Sequence, residues 1–201
     1  KDDYSKEECE QLKPLYNQFD AVSVRETNLT GILAQRGWNS PKAEVTLDPT
    51  LLLDKRDYQR IIEENKTEKP QGNLYLYTLD MGEQMRRLIA ERGLDKRYEP
   101  YSATIDTRIP CSIPQWLRNI ADAECVVTDS YHGLLFSIIF NKPYYLIENK
   151  ERGVARFRSV YELLGLENDG LGLAENDWQR VCQRIAALRK TSIEFLNTSL
   201  Q

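Results

Sequence analysis

The chain has 201 residues, 41% of them apolar, and a formal net charge of −4. That is enough for a sizeable core in one ordinary domain, or in one domain and a piece of another. Acidic and basic residues are interspersed, which excludes the basic stripe of a general nucleic-acid binder and leaves room for a local basic cleft around a small anion.

Strands and helices alternate along the chain. Residues 5–18 carry Cys9, Leu12, Leu15 and Tyr16 at helical spacing. The apolar stretch in FDAVSVRE predicts a short strand at about 20–25, and TNLTGILAQRGW a helix from about Thr27, stopped by Gly37. AEVTLD is a second strand. PTLLLDKRDY opens with Pro49 and runs into the helix DYQRIIEENK and the loop TEKPQG. The pattern then restarts. NLYLYTLD is a strand, MGEQMRRLIAERG a helix ended by Gly93, RYEPYSA a short strand, and SIPQWLRNIADA a helix with Pro114 in its first turn. CVVTDS is a strand, HGLLFSIIFN a helix and PYYLIE a strand. GVARFRSVYELLGL and DWQRVCQRIAALRKTSIEFL are closing helices. Strands separated by helices of this length predict βαβ units and a parallel sheet.

No apolar run reaches the about 18 residues that read as a membrane span. The opening KDDYSKEECEQLKPLY lacks the apolar core of a signal peptide. The cysteines, Cys9, Cys111, Cys125 and Cys182, stand far apart. That spacing argues against a zinc site or a disulfide framework and for a reduced, cytoplasmic chain. No cluster with ligand spacing predicts a metal.

In an open parallel sheet, ligands bind beyond the carboxyl ends of the strands. TDSYHG occupies such a place, between CVV and the helix LLFSIIF, and it holds the only histidine, His132. The first turn of that helix offers backbone N–H groups and a positive dipole end, which suit phosphate or carboxylate. Asp129 or Ser130 is the helix cap. Gly133 lets the backbone approach a ligand. His132 stands where it can hydrogen-bond an anion or move a proton. A lone histidine of this kind is as often a satisfied structural residue. Arg25, in VSVRE, ends a second predicted strand and can fork onto an anion or pair with Glu26. Arg152, Arg156 and Arg158, in ERGVARFRS, are a third basic candidate or a solvated helix face.

The segments FDAVSVRE, EVTLDPTLLLDKRDY, ADAECVVTDSYHGLLFSIIFNKPYYLI and ARFRSVYELLGLE resemble, in order and spacing, the polysaccharide pyruvyl transferase family. The resemblance covers about residues 19–167, and VVTDSYHGLLFSIIFNKP is its most specific part. It implies two Rossmann-like domains facing a cleft, arranged as in GT-B glycosyltransferases. The family's enzymes transfer pyruvate from phosphoenolpyruvate, usually as a ketal across two sugar hydroxyls. Their acceptors are cell-surface polysaccharides or lipid-linked precursors, which implies association with the inner face of the membrane. No cofactor is implied beyond the donor substrate. His132 matches the histidine of the family's TD-x-x-HG motif and is the expected catalytic acid; a neighbouring substrate anion favours its imidazolium form. The expected donor-binding residues are Arg25, Asp129, Ser130, Tyr131, Gly133, Arg156 and Arg158.

Two departures stand out. Some members carry an arginine where this chain has Ser130, so either another arginine, Arg156 or Arg158, supplies that charge, or the donor differs. The glycine-rich strand–loop–helix that opens the family's N-terminal domain has no counterpart here. The expected organisation is therefore residues 1–54 as the end of an incomplete N-terminal Rossmann-like domain, 55–71 as a linker region and 72–201 as a C-terminal Rossmann-like donor-binding domain. With the rest of the first domain missing, the chain alone is expected to be weakly active or inactive. Two other readings share this pattern. One is a GT-B glycosyltransferase using a nucleotide sugar, with Glu148 or Glu151 on the ribose. The other is a non-catalytic α/β module that binds an anion or a partner.

Overall fold

The structure is a computed structural model, and it describes residues 5–80, 82–102, 111–148, 153–166 and 178–201. They fall into two compact units. The first comprises residues 1–52, 153–165 and 179–201, and the second residues 53–152 and 166–178.

The first unit opens with α1 (Lys6–Tyr16). Ser5 caps it, and Glu8 reaches back to the Ser5 N–H, so two otherwise unpaired donors are satisfied. β1 (Val22–Val24) and β2 (Ala43–Val45) pair in parallel across α2 (Leu29–Gln35). Gly37 lies past the end of α2 at φ 70°, the left-handed conformation that glycine adopts at no steric cost. After β2, Asp48 caps a short 3-10 turn, Pro49–Leu51.

Two late helices, α7 (Ala155–Leu164) and α8 (Trp178–Ser199), complete this unit. Their docking is polar as well as apolar. The Thr27 N–H donates to Ser159 Oγ at 3.0 Å, the Leu47 N–H to Ser192 Oγ at 3.0 Å, and Arg189 Nε to the Leu51 carbonyl at 2.9 Å. Both serines are buried, and each satisfies a backbone N–H, that of Leu47 in a fully buried bond. Phe157, Val160, Tyr161, Leu164, Val181 and Ile185 are the buried apolar and aromatic positions of these two helices. Residues 153–165 and 179–201, expected within a C-terminal domain, thus pack with the N-terminal segment.

The second unit is a four-stranded parallel sheet in the order β4-β3-β5-β6. Its strands are β3 (Leu74–Tyr77), β4 (Pro100–Ser102), β5 (Cys125–Thr128) and β6 (Tyr144–Leu146). Alternation sorts their side chains onto two faces. Leu74, Leu76, Cys125 and Val127 share one core with Met85, Leu88 and Ile89 of α4 (Gly82–Arg92). The opposite face is aromatic. Tyr77 of β3 meets Trp116 of α5 (Ile113–Asp122), with ring centroids 5.5 Å apart. Trp116 meets Phe136 of α6 (Tyr131–Ile139) at 5.0 Å. Phe136 in turn meets Tyr58 of α3 (Lys55–Glu63) at 4.8 Å. With both faces covered, β5 is buried along its whole length, which is why it reads as a continuous apolar run rather than an alternating one.

The segment expected as a linker, 55–71, carries α3 and packs within the second unit. Gln115 ties it down by accepting from the Glu68 N–H at 2.7 Å and donating to the Glu68 carbonyl at 2.8 Å. The fold class is the expected one: parallel sheets flanked by helices, in a Rossmann-like α/β arrangement. Among the described residues no helix is long and apolar enough to cross a membrane.

Candidate functional site

In the second unit the chain leaves β3 toward β4 on one side, then crosses back to β5 on the other. β3 and β5 therefore flank the topological switch point, where ligands bind in sheets of this kind. Beyond their carboxyl ends lie residues 78–80 and 129–130.

One buried carboxylate joins these loops. Asp129 is 0% exposed. Its Oδ1 accepts from the Leu79 N–H at 2.6 Å and its Oδ2 from the Asp80 N–H at 2.9 Å. A carboxylate so engaged acts by holding the loop after β3 against the loop after β5, not by touching an anionic ligand. Ser130 is the cap of α6: its Oγ accepts from the Gly133 N–H at 3.2 Å. Its own N–H donates to Thr128 Oγ1 at 3.0 Å. Of the two capping residues open from sequence, the structure uses Ser130.

Gly133 has a packing reason besides the ligand approach expected of it. A Cβ at this position would lie 2.3 Å from Thr128 Oγ1 and 3.1 Å from Thr128 Cβ. Glycine is required here because the first turn of α6 sits hard against the end of β5, whether or not a ligand is near.

α6 is the most apolar helix of the chain. Tyr131 and every residue from Gly133 to Ile139 are buried, and His132 alone among the nine faces outward. A helix buried nearly all round has its position fixed by packing. The imidazole is thereby carried on a rigid first turn, at a helix N-terminus, beside the switch point. Tyr131 packs edge-on against it, with ring centroids 5.4 Å apart. Behind the turn, Tyr77 is half-buried, and burial, with the nearby Asp129 carboxylate as a lesser cause, pushes its phenol above the ordinary value.

Arg25 and α7 belong to the first unit. Arg25 donates through Nη1 to Asp48 Oδ2 at 2.8 Å and through Nε to Glu26 Oε1 at 3.2 Å. The Asp48 side chain is 3% exposed, and its Oδ1 accepts from the Thr50 N–H and Thr50 Oγ1. The motif LDPT is thus one device: Asp48 caps the 3-10 turn with one oxygen and aims Arg25 with the other. Asp48 was not among the residues expected in the site. Its sequence signal is an acid directly before Pro–Thr, the pattern of a capped turn with proline in its first position.

Arg156 and Arg158 lie on α7. Arg158 is exposed. Arg156 is half-buried, with its guanidinium carbon 5.0 Å from the Phe157 ring centroid. It sits three residues before Ser159, on the helix face that meets Thr27 just beyond Arg25. Arg152 and Glu151 fall outside the described residues, and Glu148 is exposed at the end of β6.

No curated protein and no solved structure matches the chain. The family model of the polysaccharide pyruvyl transferases matches residues 1–151. That span runs from α1 through β6 and includes Arg25, Asp48 and the whole turn from Asp129 to Gly133. The chain belongs to the polysaccharide pyruvyl transferase family.

Proposed function

We propose that this chain carries the donor chemistry of a pyruvyl transfer from phosphoenolpyruvate to saccharide hydroxyls. The observation that supports this most is the outward His132 on the otherwise buried first turn of α6. Phosphoenolpyruvate carries a carboxylate and a phosphate, so it calls for N–H donors and cations. The N-terminal turn of α6 supplies N–H groups and a positive dipole end. The first unit has its own N–H donors and cations, Arg25 after β1 and Arg156 and Arg158 on α7. Asp48 and Glu26 already balance the Arg25 charge, so its part is geometry more than net attraction.

The reaction then follows. The His132 imidazolium gives its proton to C3 of the enol, and positive charge develops at C2. A sugar hydroxyl adds to C2 and returns its proton to the imidazole. Phosphate departs from C2 with the proton of a second hydroxyl, which adds in its place and closes the ketal. His132 begins and ends as imidazolium. Acid–base catalysis of this kind contributes about 10²- to 10⁴-fold.

The test is phosphate release from phosphoenolpyruvate in the presence of saccharide acceptor, by the parent chain and His132→Ala. His132 is exposed, so its truncation leaves the core intact. The expected loss is at least about 100-fold, with phosphoenolpyruvate still raising the melting temperature. A His132→Ala variant at near-parental rate refutes the acid role. A melting temperature raised by nucleotide sugars and untouched by phosphoenolpyruvate refutes the donor.

A further inference from the structure

Tyr77 is the last residue of β3, and its partner across the ladder is Thr128, the last residue of β5. It therefore stands at the switch point, next to the turn that leads into α6. Its ring is held on two sides. Tyr75 stacks on it with ring centroids 6.1 Å apart and planes 9° from parallel, and Trp116 meets it edge-on at 5.5 Å. Tyr75 is fully buried, so that wall belongs to the core. An aromatic side chain turns about few bonds, and these contacts leave this one little freedom to lose when a ligand settles. The ring lies behind the α6 turn, and the hydroxyl reaches forward to the Ser130 side chain, which hydrogen-bonds it.

The sense of that hydrogen bond follows from its effect. Burial, and then the Asp129 carboxylate, push the phenol above its ordinary value, while the bond with Ser130 pulls the other way. A hydrogen bond does this when it is donated to the phenol oxygen, because it then favours the phenolate. The Ser130 hydroxyl thus gives its proton to Tyr77, while its own oxygen accepts from the Gly133 N–H at 3.2 Å. Gly133, Ser130 and Tyr77 form a chain in which every link donates outward from the first turn of α6. Links in such a chain polarise one another. The phenol proton stands at its end. Asp129, the neighbouring acid, has its oxygens on the Leu79 and Asp80 N–H groups, and no described residue accepts from Tyr77 Oη. Burial keeps that proton in place at neutral pH, so the group is a neutral, directional donor. A donor chain that starts at the positive end of a helix is best completed by an oxygen that carries negative charge.

We infer that Tyr77 is a substrate-contacting residue, whose hydroxyl donates to an oxyanion of the ligand taken at the first turn of α6, beside His132. The name of that ligand, phosphoenolpyruvate, rests on the pyruvyl-transfer reading above. The donor chain by itself calls for a carboxylate or phosphate oxygen.

The test is Tyr77→Phe in the full chain, which removes the hydroxyl and keeps both ring contacts. Isothermal titration with phosphoenolpyruvate, inorganic phosphate and pyruvate gives the affinities. His132 is the only histidine, so its Cε1–H NMR resonance reports on the first turn of α6 without overlap. In the ligand-free variant the resonance and the melting temperature should stay near parental. Phosphoenolpyruvate should bind about tenfold or more weakly, the loss of one hydrogen bond to a charged group. Equal phosphoenolpyruvate affinity in the two proteins overturns the role of Tyr77 and spares the donor reading. A His132 resonance displaced in the ligand-free variant shows Tyr77 acting through the packing of α6, and overturns the contact. A parent that binds phosphate or pyruvate but not phosphoenolpyruvate, with Tyr77→Phe weaker on that anion, supports the contact and sinks the donor reading. A parent that binds none of the three sinks both.

Discussion

The two units fix a functional loop at the same kind of place, a strand's carboxyl end, by different physics. In the first, Asp48 holds Arg25 through a side-chain ion pair, and the arginine side chain is 37% exposed. In the second, Asp129 holds two backbone N–H groups and is 0% exposed. A buried carboxylate on backbone donors is screened by nothing and sets main-chain position. A half-exposed ion pair is screened by salt and sets only a side chain. The second unit has thus fixed the frame that carries His132, and the first has aimed a single guanidinium.

The sharpest way to break this contrast is Asp129→Asn. The amide keeps one acceptor and points an NH₂ at a backbone donor. The expected cost is about 2–3 kcal/mol, the value of a hydrogen bond to a charged group. Urea unfolding should show it as a lower midpoint, unchanged in 1 M NaCl; a cost that shrinks with salt would erase the distinction. Gly133→Ala tests the same frame from its other side. The added methyl meets the buried Thr128 Oγ1, and overpacking of this kind costs about 1–3 kcal/mol. A variant as stable as the parent would show that the α6 turn is looser than its contacts imply.

Asp48→Asn is next. It removes the charge partner of Arg25 while an acceptor remains for Thr50, so about 1 kcal/mol or less is expected, and less again in high salt. Its main effect should be on binding: phosphoenolpyruvate affinity falls while the melting temperature barely moves. Asp54 provides the smallest test. The side-chain hydrogen bond from Arg56, then the Arg56 backbone N–H, hold its carboxyl below the ordinary value of 3.8. A lowered acid contributes stability above its unfolded value and loses it as pH falls through the folded one. The parent should therefore lose a small advantage over Asp54→Asn on acidification below about pH 3.8. Equal acid titrations would show that this exposed cap contributes nothing.

These outcomes also bear on what the sequence makes legible. Elements were readable because they are local: Gly37, Gly93 and Pro114 mark helix ends, and apolar runs mark strands. His132 was readable from the strand–turn–helix pattern around it. The partners were not. Nothing local says that Asp129 meets residues 79 and 80, because the strand order that makes β3 and β5 neighbours is not written in either segment. The packing of Gly133 against Thr128 is a second such contact, visible only once the helix direction is known. Asp48 was hidden for a related reason. Its capping half is local, but its hold on Arg25 reaches back 23 residues.

The first unit is made from three separated stretches of chain. Its stitching bonds, Thr27 to Ser159, Leu51 to Arg189 and Leu47 to Ser192, span 132, 138 and 145 positions. The sheet of the second unit is complete in sequence by Leu146. On a ribosome adding about 5–20 residues per second, Ser192 emerges about two to nine seconds after Leu146. Vectorial synthesis therefore lets the frame around His132 form first, while the Arg25 loop waits for the last helix. Sequence-distant closure of this sort is slow and leaves apolar surface uncovered in the interval. Exposure to misassembly during synthesis is accordingly concentrated around β1 and β2, whose partners on α7 and α8 follow more than a hundred positions later.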